Sequence, residues 1–538
     1  MTYHNFYDTE TTGPTPRFDQ VLQAAAILTD DDFVEIECID ERARLAGHMV
    51  PTAGALKVTG VDPYEIARAK HSAYEFARML HDTFSGWQRK GGGEMSYTGY
   101  NTIRFDEEIM RQMFWENLLD PYISSGKGTY RNDLLTVVRA LYARNPDCIE
   151  VPKREDGKNN FKLENLAPLN GFEGHDAHDA LGDVRATIHI ARLIRDTDPM
   201  LWQHMLGMGN AKTATDFVDN EVVFRLLGGP MLAPGILDVC LVASEAANAK
   251  SKTAWNLAVD PTPYLDLSAE EILTAMKKTG TPFRTVKCNK HPAAFPMNWE
   301  FLQRVSNDQF EPADPATIEE RAELIRSHEG FQMATAEALR LKTEGYEDSD
   351  VLEEKIYSGF PSWDDKNRMK SFHNAADWPQ RLDIVRTLEK PEMRQLGIRT
   401  IYLHAPEVLS PTLREQISLK VAAERFTLSV DKPWTTVGKL MAELDEWLET
   451  EPDDPELLNI RKWALETYPT AADWTGTPPE PTTEEPASEA ATTTAEAPSS
   501  QPCKTADTVR GSEAVESCPS SIARQVEGAQ AHFLDGLE

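Results

Sequence analysis

The residues most able to do chemistry stand near the start of the chain, where residues 8–13 are Asp-Thr-Glu-Thr-Thr-Gly. Residues 3–8 predict a short buried strand. Side chains two apart on a strand point to the same side, so Asp8 and Glu10 can converge on one metal site while Thr9 points away. Acids are also common where a strand ends in a solvated turn beside glycine, and this motif alone leaves both interpretations open.

A third acid, Asp106, ends the stretch Asn-Thr-Ile-Arg-Phe-Asp that begins at Asn101. It lies where a predicted strand, residues 95–100, gives way to a predicted amphipathic helix, residues 107–118. Positions of this kind commonly carry the active-site carboxylates of α/β folds. The placement therefore favours a role for Asp106 beside Asp8.

The last acidic position, Asp183, ends the stretch His-Asp-Ala-His-Asp-Ala-Leu-Gly-Asp of residues 175–183. Apolar residues at three- and four-residue spacing predict a helix from about 180 to 194. Five residues along a helix rotate the side-chain direction by roughly 140°, so His178 and Asp183 cannot both face one site from helical positions. If both act, His178 must lie on the turn that leads into the helix. A lone histidine there is also consistent with capping or surface polarity.

These acids need a sheet to position them. Residues 23–28 and 33–39 are strand-like and are separated by Asp30-Asp31-Asp32, which predicts a hairpin. Strands followed by helices, opening with a hairpin, indicate an α/β fold with a mixed sheet.

Beyond residue 202 the pattern changes. Short apolar runs at 222–227, 236–242 and 284–286 alternate with turns, which predicts a second domain with a small β component and added helices. Residues 351–468 are predicted to be helical. After residue 468 the chain is rich in Thr, Glu, Pro, Ala and Ser and has few apolar anchors. Such a segment cannot offset its ordering entropy, so we expect it to be disordered.

Length and composition limit the classes of protein that fit. At 538 residues the chain is too long for one hydrophobic core, and 41% hydrophobic with 26% charged residues is typical of soluble globular proteins. No apolar run reaches the roughly 18 residues of a membrane span, and residues 1–7 lack the form of a signal peptide. The six cysteines form no Cys-x-x-Cys pair, so we expect no disulfide framework or zinc site and a cytoplasmic setting.

The net charge of −32 argues against a long, purely electrostatic DNA-binding surface, although binding depends on local patches rather than on the sum. One basic cluster stands out and has two interleaved aromatic residues: Lys277, Lys278, Arg284, Lys287, Lys290 and His291, with Phe283 and Phe295. It predicts a groove that follows a nucleic-acid backbone and offers stacking platforms. A solvated helix end followed by a strand fits the same residues.

Taken in order, Asp8, Glu10, Asp106, His178 and Asp183 resemble the DEDDh exonuclease family. The motifs are Asp-x-Glu-x-Thr, Asn-x-x-x-Phe-Asp and His-x-x-x-x-Asp. Within this family the chain is most similar to members that degrade single-stranded DNA. Five stretches carry that similarity, which extends over about residues 1 to 468: 99–108, 120–122, 161–166, 286–292 and 356–360.

The resemblance implies a ribonuclease H-like exonuclease domain with a mixed sheet over residues 1–200, an SH3-like β-containing domain over 201–350 and an α-helical C-terminal domain over 351–468. Residues 469–538 are left as a disordered acidic tail. In the family these domains close into a C-shaped channel that admits one strand. The implied activity is 3′→5′ hydrolysis of single-stranded DNA to nucleoside 5′-monophosphates, in DNA repair or recombination. We expect a monomer with no membrane association.

The residue types suit that chemistry. Carboxylate oxygens can hold two hard cations about 3.5–4 Å apart, which stabilise the attacking and leaving oxygens of an in-line displacement. Asp8, Glu10, Asp106 and Asp183 are therefore assigned to a site for two Mg²⁺ ions, with Mn²⁺ as a substitute. His178 is assigned as the general base, because the reference pKa of imidazole, about 6.5, suits neutral pH.

Substrate contacts rest on the resemblance alone, which places five residues against the DNA: Glu10, Arg111, Tyr122, Arg139 and Lys162. The family has Arg where this chain has Lys162. Lys keeps the charge but lacks the bidentate fork, so we expect that phosphate to be held less tightly. For the last four residues an ordinary surface or core role fits as well. The family also binds the acidic C-terminal peptide of a single-strand-binding protein, and the sequence does not locate a pocket for it.

Three alternatives remain. An exoribonuclease or a polymerase-proofreading exonuclease would share the active site, but such proteins are mostly single domains, and the long segment 201–468 argues against them. The Asp8–Thr11 motif also resembles the Asp-x-Asp-x-Thr nucleophile of haloacid-dehalogenase-like phosphatases, where the second acid is Asp and the pair His178 and Asp183 would have no role. A non-enzymatic DNA-binding or scaffold protein would leave five correctly ordered catalytic-type residues unexplained.

Overall fold

The computed structural model describes residues 3–173, 179–245, 248–305, 313–344 and 349–477. Three parts follow one another along the described chain. Residues 3–221 are called the first-sheet region, residues 222–344 the second-sheet region and residues 349–477 the C-terminal helical region.

The first sheet has five strands in the order β3-β2-β1-β4-β5. Its strands are β1 (His4–Thr11), β2 (Val21–Thr29), β3 (Glu35–Arg42), β4 (Met95–Gly99) and β5 (Thr129–Asp133). β1, β2 and β3 are antiparallel neighbours, whereas β4 runs parallel to β1 and β5 runs parallel to β4. The sheet is mixed, which confirms the predicted fold class. β3 begins later than predicted because Phe33 lies in a turn with a φ of 59°.

Helices cover both faces of this sheet. Those of the described first-sheet region are α1 (Ala53–Val58), α2 (Pro63–Ile66), α3 (Ala73–Lys90), α4 (Asp106–Glu116), α5 (Leu134–Arg144), α6 (Leu163–Leu169), α7 (Ala180–Thr197), α8 (Pro199–Met208) and α9 (Ala211–Glu221).

Alternation along the strands sends side chains into two separate cores. Phe6 of β1 packs with residues of α5, α7 and α8 on one face. Tyr7 packs with residues of α3 and α4 on the other. Asp8 and Glu10 are two and four residues after Phe6 on the strand, so they lie on the same face as Phe6, the α7 side of the sheet. Thr9 lies on the α4 side.

The second-sheet region holds an antiparallel sheet in the order β10-β6-β7-β8-β9. Its elements are β6 (Val223–Gly228), β7 (Gly235–Ser244), β8 (Ser251–Asn256), α10 (Ala269–Met276), β9 (Phe283–Lys287), β10 (Ala294–Phe295), α11 (Pro315–Ser327) and α12 (Glu329–Glu344). The boundary expected after residue 200 falls inside α8, whose Leu201 and Met205 pack into the core beneath the first sheet.

The C-terminal helical region contains α13 (Trp363–Asn374), α14 (Trp378–Thr387), α15 (Pro391–His404), α16 (Pro411–Glu424), α17 (Val437–Thr450) and α18 (Pro455–Thr467). It shares two cores with the first-sheet region. Tyr74 and Trp115 pack with Phe372 in one, and Leu56 packs with Trp463 in the other. The helices therefore lie directly on the first-sheet region.

The ordered chain continues past the predicted end of the helical region. Residues Pro469–Asp473 form a short 3₁₀ helix, in which Ala471 is buried. The indole of Trp474 donates to Asp445 Oδ2 at 2.7 Å. The start of the expected acidic tail is therefore part of the C-terminal core, and its remainder, residues 478–538, lies outside the described residues.

None of the described helices combines the length and the apolarity needed to cross a bilayer.

Candidate active site

Asp8 and Glu10 stand at the carboxyl end of β1, the central strand of the first sheet. In the antiparallel pairing with β2, Asp8 is opposite Ala25 and Glu10 is opposite Gln23. Phe6, completely buried, anchors the same face of the strand in the core. Both carboxylates are half-buried at the edge of that core. The strand thus presents two acids side by side toward α7.

Asp183 reaches this pair from the first turn of α7. The helix begins after Asp179, whose Oδ2 accepts from the backbone N–H of Gly182 at 3.2 Å and caps the helix. Gln23 donates to Asp179 Oδ1 at 3.1 Å, which ties the start of α7 to β2. Carboxylate oxygens of Asp8, Glu10 and Asp183 lie within 4.8 Å of one another.

The pKa values of these acids are raised, first by burial and then by mutual repulsion. The pKa of Glu10 rises to about 8, with Asp183 the strongest charged neighbour. Burial raises the pKa of Asp183 to about 7, with Glu164 and Asp179 as further causes. Burial and the charges of Asp106 and Asp183 raise the pKa of Asp8 well above its ordinary value. Clustered oxygen donors that repel one another in this way fit a hard divalent cation.

Asp106 approaches from the opposite side of the sheet, as the first residue of α4. Its Oδ1 accepts from the hydroxyl of Thr9 at 2.6 Å and from the backbone N–H of Thr9 at 3.2 Å. It does not belong to the group of described acids within 4.8 Å. Burial raises its pKa to about 6 against the lowering effect of the Thr9 hydrogen bonds. Thr9 points away from Glu10, as its position predicts, and it orients Asp106.

His178, the predicted general base, falls in residues 174–178, which lie outside the described residues. The described chain resumes at Asp179, the residue that caps α7. His178 therefore precedes the helix in sequence, and its placement stays a prediction.

A groove of about 720 Å³ opens beside Asp183. Lys162 lies on its wall with a side chain that is 71% exposed, and its Nζ stands 3.2 Å from Glu164 Oε1. Met231 and Leu232, from the second-sheet region, form the other wall. The groove therefore lies between two regions and leads to one of the clustered acids.

The other predicted DNA contacts have different surroundings. Arg111 is 7% exposed, and its guanidinium donates to Glu107 at 2.7 Å and to Ser125 at 2.5 Å. Tyr122 is half-buried beside Phe360, with ring centroids 5.3 Å apart.

Arg139 donates weakly to the carbonyl of Pro230 at 3.5 Å, and its Nε has no hydrogen-bond partner among the described residues. Burial, with the charge of Arg104, lowers its pKa. Arg111 is held by two short hydrogen bonds, whereas the one bond that Arg139 makes to a described residue is long.

The basic cluster of residues 277–295 does not form the expected groove with stacking platforms. Phe283 is 7% exposed and packs against Trp255. Phe295 is completely buried in a core with Trp299. Rings held in cores cannot stack on bases, so this interpretation is wrong for both. His291 is also buried. Its imidazole accepts from the backbone N–H of Asp133 at 2.9 Å, and its other ring nitrogen lies 2.9 Å from the carbonyl of Met205.

Two acids next to the site were not singled out from the sequence. Asp179 could have been found, because Asp just before an apolar helical period is a typical N-cap. Asp133, buried at the end of β5, accepts from the backbone N–H of Asn101 at 3.0 Å and so fixes the turn before Asp106. Nothing local in the sequence connects it with residue 101.

The comparisons with known proteins agree with this geometry. The model of a protein family described as Exonuclease matches residues 6–191, the part that carries the clustered acids. The fold and the site thus define an exonuclease, a hydrolase of phosphodiester bonds.

The similarity over most of the chain is more specific. The chain is 31% identical to exodeoxyribonuclease I of Escherichia coli (strain K12) over 385 residues, which are 68% of this chain and 78% of that protein. A structure of E. coli exonuclease I in complex with a dA16 oligonucleotide matches with a TM-score of 0.75 at 24% identity, covering 87% of this chain and 100% of that one. A structure of SSB/exonuclease I with the inhibitor CFAM matches with a TM-score of 0.72 at 24% identity, and the match covers 87% of this chain and 100% of that chain. The chain belongs to the exodeoxyribonuclease I family. Its exonuclease domain is of a metal-dependent kind, and the group Asp8, Glu10 and Asp183 is compatible with holding a metal ion.

Proposed function

We propose that the chain removes nucleotides from the 3′ end of single-stranded DNA by hydrolysis and releases nucleoside 5′-monophosphates. The observation that carries this proposal is the convergence of Asp8, Glu10 and Asp183 within 4.8 Å, in a member of the exodeoxyribonuclease I family. Strand polarity and product are the parts that require direct measurement.

The donor set suits two Mg²⁺ ions, with Mn²⁺ able to replace them. Asp8, Glu10 and Asp183 would hold them from the α7 side, and Asp106 would contribute the oxygen that is not bonded to Thr9. When bound, two such ions stabilise the attacking and leaving oxygens of an in-line displacement. Thr9 keeps Asp106 in one orientation, so the site is organised before the substrate arrives.

His178 would act as the general base that accepts a proton from the attacking water. Two described contacts fix the start of the helix that follows it in sequence. Asp179 caps α7 directly after His178, and Gln23 holds Asp179 to the sheet.

The DNA strand would enter along the groove beside Asp183. Lys162 is exposed on the wall of this groove and can contact a phosphate. Arg139 would contact a phosphate through its terminal nitrogens, which make only a long bond of 3.5 Å to Pro230. Tyr122 offers a partly exposed ring for a base, whereas Arg111 would act by supporting Tyr122, since its guanidinium lies 5.7 Å from that ring.

The division into an exonuclease domain, an SH3-like domain and a helical domain is part of this proposal, with the first boundary moved beyond α8. Grooves between such domains would admit one strand and exclude a duplex. DNA repair is the setting we infer for this activity. The known SSB/exonuclease I structure suggests single-strand-binding protein as a partner, and the known complex of E. coli exonuclease I with a dA16 oligonucleotide suggests single-stranded DNA as the substrate.

End-labelled substrates test the proposal. Single-stranded DNA should be digested with Mg²⁺ and not with EDTA, and a 3′-phosphate should slow digestion sharply whereas a 5′ block should not. Blunt duplex DNA should resist, because unpairing costs about 1.4 kcal/mol for each base-pair step. Equal rates on RNA and DNA would favour an exoribonuclease, and rapid digestion from a free 5′ end would contradict the proposed polarity.

A further inference from the structure

Glu108 receives hydrogen bonds from two other regions of the molecule. It lies in the first turn of α4, two residues after Asp106, and its side chain is 14% exposed. Its Oε1 accepts from Lys290 Nζ of the second-sheet region at 2.5 Å. Its Oε2 accepts from the hydroxyl of Tyr357 of the C-terminal helical region, also at 2.5 Å. One carboxylate therefore bonds to both neighbouring regions.

Two further cations complete this arrangement. Arg17, in the loop after β1, stands 3.9 Å from Glu108 Oε2, and its guanidinium lies over the ring of Tyr357, 4.6 Å from the centroid. Arg111 stands 3.5 Å from Glu108 Oε1. Burial alone would raise the pKa of Glu108, but the bonds from Lys290 and Tyr357 outweigh it and lower the pKa to about 2. The carboxylate is therefore ionised at neutral pH.

The same three regions form the walls of two grooves. The groove of about 720 Å³ beside Asp183 has walls from the first- and second-sheet regions. A second groove of about 540 Å³ has walls from the first-sheet and C-terminal regions, with Tyr122 facing Phe360 and Trp363. The width of each groove depends on how firmly the regions are held together. Glu108 is bonded across both boundaries.

We propose that Glu108 is a positioning residue that holds the three regions together around the DNA strand, so that the strand stays bound between successive cleavages. This inference rests on the proposed function. Loss of one partner from a buried ionic group is costly, because it leaves the other partners uncompensated. Without Glu108 the regions separate more often, and a bound strand is released earlier.

Simple electrostatics predicts the opposite effect of removing Glu108 on DNA binding. Removing a negative charge near a path for DNA should strengthen binding, since phosphates are repelled by carboxylates. If Glu108 joins the regions, its removal should instead weaken binding and shorten each digestion run. The direction of the effect therefore distinguishes the two explanations.

The test compares Glu108→Gln with the wild-type protein on two substrates. Protein bound to a long, 5′-labelled oligothymidylate is mixed with Mg²⁺ and an unlabelled trap DNA. The length of the product then reports the number of nucleotides removed per encounter, which is called the run length. We expect that number to fall at least tenfold, because removing one partner of a buried charge pair is strongly destabilising. The value of kcat on a trinucleotide should change by less than about twofold, because Glu108 does not touch the reacting atoms.

Two other variants sharpen this comparison. Tyr357→Phe removes only a hydroxyl from a side chain that is 48% exposed, so the fold should be retained. Its run length should fall about threefold, and the double variant should be no worse than Glu108→Gln, since both changes break one interaction. Glu37→Gln is the matched control: Glu37 also accepts from two donors, Trp87 at 2.7 Å and Lys90, but both lie in the first-sheet region. Its run length should equal that of the wild type.

An unchanged run length, or tighter DNA binding, in Glu108→Gln would overturn the inference. So would an equal loss on the trinucleotide, which would mean that Glu108 acts on Asp106. Affinity for the labelled strand in EDTA provides a separate measurement: a weaker affinity of Glu108→Gln supports the inference even if the wild-type protein proves to have another polarity.

Discussion

Replacing Glu10 with Gln should stabilise the metal-free protein while it abolishes cleavage. The change keeps the shape of the side chain and removes one of three negative charges whose oxygens lie within 4.8 Å. In the metal-free protein these charges repel, so the site lowers the free energy of unfolding. With cations bound, the same charges are what the active site requires.

The size of the effect can be estimated in two ways. Two unit charges 4.8 Å apart repel by about 3.5 kcal/mol at an effective dielectric constant of about 20. Independently, burial and repulsion raise the pKa of Glu10 from 4.5 to about 8. The folded protein then binds this proton more tightly than the unfolded chain, so the penalty is absent below pH 4.5 and grows with pH up to about 8. At pH 7 it reaches about 3.4 kcal/mol, at about 1.36 kcal/mol for each pH unit.

Urea denaturation in EDTA measures this difference. We expect Glu10→Gln to exceed the wild type by about 1–3 kcal/mol at pH 8, after the cost of burying the amide, and by little at pH 5. Excess Mg²⁺ should raise the stability of the wild type more than that of the variant. Glu35→Gln, the same change at an exposed position of β3, serves as the control. A variant that is no more stable than the wild type at pH 8 would refute the repulsion on which the argument depends.

Three other outcomes are expected. Asp8→Ala should reduce the nuclease rate more than tenfold and leave the affinity for single-stranded DNA in EDTA nearly unchanged, since the proposed phosphate contacts lie elsewhere. A variant that keeps more than about a tenth of the wild-type rate would contradict the metal assignment. His291→Asn should remove part of the acid sensitivity of folding. Burial lowers the pKa of His291 from 6.5 to about 4, so the contribution of His291 to the free energy of unfolding is lost as the pH falls through this range, by about 2 kcal/mol at pH 5. If the free energy of unfolding, measured with urea, falls equally with pH in the two proteins, this contribution is excluded. Truncation after Thr477 should leave the melting temperature nearly unchanged, whereas truncation after Tyr468 should lower it, because Ala471 and Trp474 pack on the C-terminal core; equal melting temperatures would disprove that packing.

The sequence by itself predicted the features that depend on local periodicity. The two-residue alternation of β1 placed Asp8 and Glu10 on one face and Thr9 on the other, because a strand has no other arrangement of its side chains. The helical spacing after residue 180 placed Asp183 on the first turn of α7, and the order of the acids indicated the family. The mixed sheet followed from the hairpin and the strand–helix succession that opens the chain.

Tertiary structure alone decided which distant residues meet. Thr9 binds Asp106 from 97 positions away, and Glu108 bonds to Lys290 and Tyr357, which are 182 and 249 positions away. Phe283 and Phe295 lie among basic residues, a composition typical of a nucleic-acid surface. The second sheet nevertheless directs both side chains into hydrophobic cores. Periodicity is a property of the backbone and can be read locally, whereas these contacts depend on how separate cores pack against one another, and no local pattern encodes that packing.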